Sequence, residues 1–206
     1  MEDECLGEWL ANAISHGIGV LLSGIALVVL VLAADTATAL AGVIVFGVTM
    51  VLLYLSSTLY HAFPKSMNRV VSVFRRFDHI AIYLLIAGTY TGFVLPLMPE
   101  GKGITLLVVL WTIAIVGGVF KAIWIERFKP VHIILYLGMG WSVFTIWPDI
   151  RPFIPEASMI LLVIGGLSYT GGIIFFGLKK PFTHFIWHLF VIGGTLAHFL
   201  SIYYII

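Results

Sequence analysis

Charge is what this chain has least of. Only 10% of its 206 residues are Asp, Glu, Lys or Arg, against about 25% in a soluble domain. So few charges cannot cover a surface that faces water, which excludes an ordinary soluble domain. The net charge of +1 provides no basic field, so a nucleic-acid partner is excluded as well. The single cysteine, Cys5, rules out an intrachain disulfide framework. The opening MEDECLGEWL is acidic and lacks the basic start of a cleaved secretory leader. The first helix is therefore expected to stay as an uncleaved anchor. No glycine-rich phosphate loop stands in a polar segment, which argues against nucleotide use.

What fills the chain instead is apolar: 61% of residues are hydrophobic and the mean hydropathy is +1.10. Lipid is the solvent that suits such a composition. A spanning helix needs about 20 mostly apolar residues. Runs of that kind cover 12–33, 39–62, 79–98, 103–123, 131–148, 157–178 and 184–206. Short polar or Pro/Gly-bearing stretches part them: AADTA, PKSMNRVVSVFRRFD, PEGKG, ERFKP, PDIRP and KKPF. PEGKG is so short that the third and fourth runs must form a hairpin. The expected fold is all-α: a polytopic membrane protein whose 206 residues form a single seven-helix transmembrane domain.

Orientation follows from the basic residues. Lys65, Arg69, Arg75 and Arg76 follow the second run, Lys121, Arg127 and Lys129 the fourth, and Lys179 and Lys180 the sixth. Only Lys102 and Arg151 fall in the other connections. The positive-inside rule then places the N-terminus in the cytoplasm and the C-terminus outside. Trp9, Trp124, Trp147, Tyr203 and Tyr204 sit near run ends, where interfacial aromatics belong.

Ionisable groups inside spanning helices are costly and mark function. The intramembrane candidates are Glu8, His16, His61, Asp78, His79, His132, His184, His188 and His198. His61 ends the second run four residues before Lys65, and Asp78 opens the third two residues after Arg76. His184 and His188 stand four and eight residues after Lys180. At about 1.5 Å per residue, these four groups lie within roughly 3–12 Å of one membrane boundary. Three helices thus carry polar side chains to one depth on one side.

In HFIWH the i, i+4 spacing of His184 and His188 projects both imidazoles from one helix face. That spacing suits two ligands of a single metal ion, and His61 supplies a third nitrogen. Three histidines with an open fourth position are the arrangement of a catalytic zinc site. Asp78 is then placed to act as general base or to orient a water. Ser57, one turn from His61 in SSTLYH, is placed to hydrogen-bond within the site. His198, ten residues beyond His188, is about 15 Å too far along the helix to share the ion. His79 is expected to be structural, and His132 is the best understudy ligand. Glu8, Asn12 and His16 form a stripe on the first helix that either braces the site or packs. An interhelical hydrogen-bond network, worth about 0.6 kcal/mol per bond, would use the same residue types. Spacing alone leaves both readings open. The many small-residue pairs, GVLLSG and IGGLSYTGG among them, are packing chemistry for close helix approach.

These stretches also carry a resemblance. NAISHGIG, SSTLYHAF, FDHIAIYLLIAGTYTGF, GMGW and HFIWHLFVIGGTLAHFLSIYY resemble bacterial hemolysin III proteins. Those belong to the wider progestin and adipoQ receptor family, related to alkaline ceramidases. The resemblance covers essentially the whole chain. It implies seven helices, a cytoplasmic N-terminus and a bacterial inner-membrane location. It further implies zinc on His61, His184 and His188, with Asp78 holding the water. One departure is Gly92, where bacterial relatives usually carry proline in GTYTP, a change that should soften a kink in the third helix. The expected function is zinc-dependent hydrolysis of a lipid amide or ester, or lipid sensing in membrane homeostasis. The partners are membrane lipids, with substrate entering from the inner leaflet, and an oligomer is compatible with this. The alternatives are a pore-forming, cytolytic protein and a receptor-like regulator in which zinc is purely structural.

Overall fold

The computed structural model of the protein describes residues 5–98, 100–178 and 180–206. Lys179, counted above among the basic residues, and the first four residues of the acidic opening lie outside that set. Among the described residues the regular elements are helical: α1 (Leu6–Ala33), α2 (Ala37–Ala62), α3 (Asn68–Leu97), α4 (Lys102–Ile123), α5 (Lys129–Gly140), α6 (Trp147–Ile150), α7 (Glu156–Gly177) and α8 (Thr183–Tyr203), with a 3₁₀ turn over Ser142–Thr145 before α6. Six of them, α1–α4, α7 and α8, are long and apolar enough to cross a membrane. Their large exposed side chains are apolar, as on α1 with Leu21, Ile25 and Leu32.

Two sequence expectations need correction. The polar stretch before the third run is not a separate connection from Asn68 onward. It forms the first turns of α3, whose 30 residues make a rod of about 45 Å. After Pro64 nothing in NRVVSVFRRFD breaks a helix, and Phe74 stacks on Phe63 across the short α2–α3 turn at a centroid distance of 5.4 Å. Arg76 Nε donates to the Ala122 carbonyl at 2.9 Å and Arg75 pairs with Glu126, so the extension is tied to the end of α4.

The fifth run is also not one helix. Its regular part, α5, has 12 residues, about 18 Å of rod against a hydrocarbon core of about 30 Å. The chain then passes through the 3₁₀ turn into the single turn of α6. Gly138 and Gly140 are weak helix formers, and Tyr90 of α3 takes over the freed backbone groups. Its hydroxyl donates to the Gly140 carbonyl at 2.8 Å and accepts the Val143 N–H at 2.7 Å. A broken helix at membrane depth needs such a partner.

The helices pack in order along α1–α2–α3–α4, and α8 returns against α1 while α7 lies on α8. Reciprocal hydrogen bonds clasp α7 to α8: Ser158 Oγ to the Ser201 carbonyl at 2.8 Å and Ser201 Oγ to the Ser158 carbonyl at 2.7 Å. Tyr169 and Thr195 add a hydroxyl pair at 2.7 Å. The α3–α4 hairpin closes as expected, and Gly101 stands at its turn with φ +59°, a region where a side chain is strained. Gly92 lies inside a continuous α3, where a Cβ would come within 3.0 Å of Phe46 and 3.1 Å of Ile202. Its place is a close approach of α2, α3 and α8. The α2–α3, α4–α5 and α7–α8 connections share one end of the bundle, the basic end. Lys129 bonds Glu126 there at 2.6 Å, which with Arg75 nearby holds the Glu126 carboxyl below the ordinary glutamate range.

Candidate metal centre

His61 stands in the last turn of α2, and His184 and His188 in the first two turns of α8. The α1–α8 and α1–α2 packing brings those ends together at the basic end. The rings converge: His61 lies 5.1 Å from His184 and 5.2 Å from His188, and the α8 pair are 4.7 Å apart, centroid to centroid. One ligand nitrogen from each falls within 4.8 Å of the others. His61 and His188 are buried, and Nε2 of both His61 and His184 is sealed from solvent with no hydrogen-bond partner. Buried polar atoms normally find partners, so two bare nitrogens among three converging rings call for an explanation.

A metal ion is a good one. Zinc–nitrogen bonds of about 2.0–2.1 Å in a tetrahedral shell place ligand nitrogens about 3.4 Å apart. The rings therefore need only a small inward adjustment to close on an ion. Neutral imidazoles in an apolar setting suit zinc and its transition-metal neighbours rather than magnesium or calcium. The donor set fits.

Ser57, Asp78 and His79 line a cavity of about 20 Å³ with His184 and His188, together with His16 and Trp187. That is room for about one water. Asp78 does not join the three-nitrogen group, and Ser57 Oγ is buried next to its carboxyl. His79 Nδ1 donates to the Arg75 carbonyl at 2.8 Å, so Nδ1 carries the proton. It is thus held by its own helix, yet it also faces the cavity.

Elsewhere the structure separates candidates that sequence had kept near the site. His132, the expected understudy ligand, is bound to Tyr83 Oη at 2.7 Å. Packing of α5 on α3 turns it to that tyrosine, outside the three-nitrogen group. His198 donates from Nε2 to the Leu162 carbonyl of α7 at 3.2 Å. Gly165 makes this approach possible, since a Cβ there would sit 2.2 Å from the His198 ring.

Two residues of α1 reach the cluster, one of them from the stripe that sequence offered as a brace and one beside it. His16 stacks on His188 at 3.5 Å with planes 11° apart, and Ser15 Oγ lies 3.1 Å from His188 Nδ1. The buried stripe of Glu8, Asn12 and His16 was the available signal. Ser15 lies one position off that stripe and gave none.

From the small cavity, apolar space continues through the bundle. Leu53, Ile82, Phe176, Trp187 and Val191 also wall a cavity of about 100 Å³. That one shares Tyr90, Gly140, Trp141 and His198 with a further space of about 340 Å³, which reaches Trp147 and Met159.

The chain matches the family described as haemolysin-III related across residues 7–199. This protein belongs to the haemolysin III family. It is 44% identical over 199 residues to the hemolysin-3 homolog of Bacillus subtilis (strain 168), covering 95% of this chain and 92% of that protein. To the hemolysin-3 of Bacillus cereus it is 43% identical over 199 residues, with 95% and 90% covered. A more distant relative is the human monocyte to macrophage differentiation factor, 29% identical over 166 residues, with 77% and 68% covered. Family, bacterial relatives and apolar helices together make this haemolysin III member a multi-pass bacterial membrane protein. Its buried histidine cluster can hold a metal ion.

Proposed function

We propose that this haemolysin III protein is a zinc-binding membrane protein that acts on lipids, with hydrolysis of an amide or ester bond as its chemistry. The observation that carries the reading is the convergence of His61, His184 and His188 with two bare, sealed nitrogens. Bound zinc supplies Lewis acidity toward a carbonyl and a nucleophilic water near neutral pH. The chain supplies the rest. Asp78, facing the cavity beside the rings, takes the proton from the attacking water and returns it to the leaving group. Ser57 Oγ, buried beside the Asp78 carboxyl, orients the water or the substrate carbonyl. The contiguous apolar spaces walled by Trp187, Tyr90 and Trp141 accept an acyl chain and exclude water. Along α3 they run from Asp78 to Val94, about 24 Å of helix, the reach of a long chain. The lysine and arginine distribution places the basic end in the cytoplasm. Substrate then enters sideways from the inner leaflet of the bacterial inner membrane, and the C-terminus lies outside.

The test uses protein purified without an affinity tag. Elemental analysis is expected to find zinc in stoichiometric amount, and a metal-free protein sinks the proposal. Asp78→Asn separates hydrolysis from a purely structural zinc. It is expected to keep the metal and lose turnover of lipid by about 10²–10⁴-fold, whereas a receptor-like regulator would work unchanged.

The name of the Bacillus cereus relative, hemolysin-3, favours a second reading in which the protein perforates membranes. A pore needs a polar lining through the bilayer, whereas the space beyond the histidine cluster presents mainly apolar surface and no charged side chain among its walls. Only an oligomer would then form one. Conductance across planar bilayers that persists when all three histidines are alanine would support it.

A further inference from the structure

We infer that Ser15 is a positioning residue for this centre: it holds His188 in the ring tautomer that leaves Nε2 bare for the ion. This deepens the metal reading above and rests on it. Ser15 Oγ lies 3.1 Å from the Asn12 carbonyl oxygen and 3.1 Å from His188 Nδ1. A serine hydroxyl has one proton to donate and lone pairs to accept with. The carbonyl can only accept, so the hydroxyl proton goes to Asn12. The contact with His188 is then made by a proton on Nδ1, which Ser15 Oγ accepts at 3.1 Å while the Asn12 carbonyl lies within hydrogen-bonding reach of the same ring. A neutral imidazole protonated at Nδ1 keeps its lone pair at Nε2, the nitrogen a metal takes.

Burial makes this choice firm. Ser15 is 7% exposed and His188 1%, so bulk solvent does not compete for the contact between them. His16, the next residue on α1, lies flat against the His188 ring and fixes its plane while Ser15 fixes its rotation. The two helices are 173 residues apart in the chain at this contact. α1 therefore supplies no ligand to the three-histidine group, yet it aims one of them. Partners that orient ligating histidines in this way commonly contribute 10–100-fold to metal affinity.

The experiment compares the full chain with Ser15→Ala and Ser15→Thr, all without tags and in the same detergent, using zinc alone as the probe. Competition against a chromogenic chelator reads affinity. Ser15→Ala is expected to weaken zinc binding about 10–100-fold, and Ser15→Thr, which keeps the hydroxyl, to stay close to the wild type. Equal affinity in Ser15→Ala, or equal weakening in both variants, overturns the inference. Should Ser15→Ala not fold, nitrogen NMR of ¹⁵N-histidine in the zinc-stripped wild type decides the matter. The His188 signal, assigned by its loss in His188→Gln, is expected to show the proton on Nδ1; a proton on Nε2 overturns the role of Ser15. A wild type that binds no zinc sinks the metal reading itself, and the tautomer measurement still judges Ser15.

Discussion

The helices that carry the histidine cluster and the segment that borders the apolar space are built to different tolerances. In α1, α2, α3 and α8 the backbones approach so closely that some glycines have no room for a methyl group. A Cβ on Gly47 would fall 2.3 Å from Leu27, and one on Gly88 would fall 2.1 Å from Thr49. Along α5 the reverse holds: Gly138 and Gly140 meet nothing within 4 Å, and the helix breaks after 12 residues. Three imidazoles can converge on one ion only if the helices bearing them are held to within about 0.5 Å. Space for a flexible chain asks for the opposite, a wall that is open and only lightly tied. α2, α3 and α8 wall the apolar space on one side, and the looser α5 borders it on another.

The sharpest way to break this comparison is to remove a ligand from the tight region. His61→Ala is expected to abolish bound metal in elemental analysis, while Tyr90→Phe in the wall of the apolar space leaves metal content as it was. Metal retained without His61, or lost without the Tyr90 hydroxyl, would erase the distinction.

Next in size are the glycines. Gly88→Ala forces Thr49 and its helix to move and should cost about 1–3 kcal/mol in thermal unfolding. Gly138→Ala, with open space around it, should be neutral or stabilising by up to about 1 kcal/mol. Equal losses at both positions would mean that α5 is packed as tightly as α3.

Tyr90→Phe is expected to act locally. It removes the hydroxyl that satisfies the Gly140 carbonyl and the Val143 N–H, and an unpaired buried group costs about 1–3 kcal/mol. Hydrogen exchange should rise at Val143 and around the 3₁₀ turn, and stay unchanged at the histidine end.

The smallest effect belongs to the α4–α5 connection, where Glu126 bridges Arg75 and Lys129. The Lys129 hydrogen bond, with Arg75 beside it, holds this carboxyl below its ordinary value. Its contribution is then present above the ordinary glutamate value of about 4.3 and is lost as pH falls through the lower folded-state value. The side chain is 52% exposed, so Glu126→Gln should cost only about 0.2–1 kcal/mol at neutral pH. A melting difference between the two proteins that widens on acidification would contradict this assignment.

Much of this was legible before any coordinates. A charge content of 10% leaves lipid as the only adequate solvent, and the long apolar runs marked the six long helices. The i, i+4 spacing of His184 and His188 follows from helix geometry alone, and common depth brought His61 to their level. Less visible was the extension of α3 back to Asn68. Its polar residues resembled a connection, although Arg75 and Arg76 have partners at and just beyond the end of α4. The break after Gly140 was hidden too, because apolar composition does not report that a tyrosine fifty residues away will take over two backbone groups.

Composition and local spacing thus determined the environment of this protein, its helical content and the pairing of two imidazoles on α8, because those depend on solvent transfer and on the 3.6-residue period. Which remaining polar groups join them was decided only by how the helices cross. His132 and Ser15 both lie on helices next to the site, yet one faces Tyr83 and the other His188. Rotation of a helix about its own axis makes that choice, and contacts distant in the chain set the rotation.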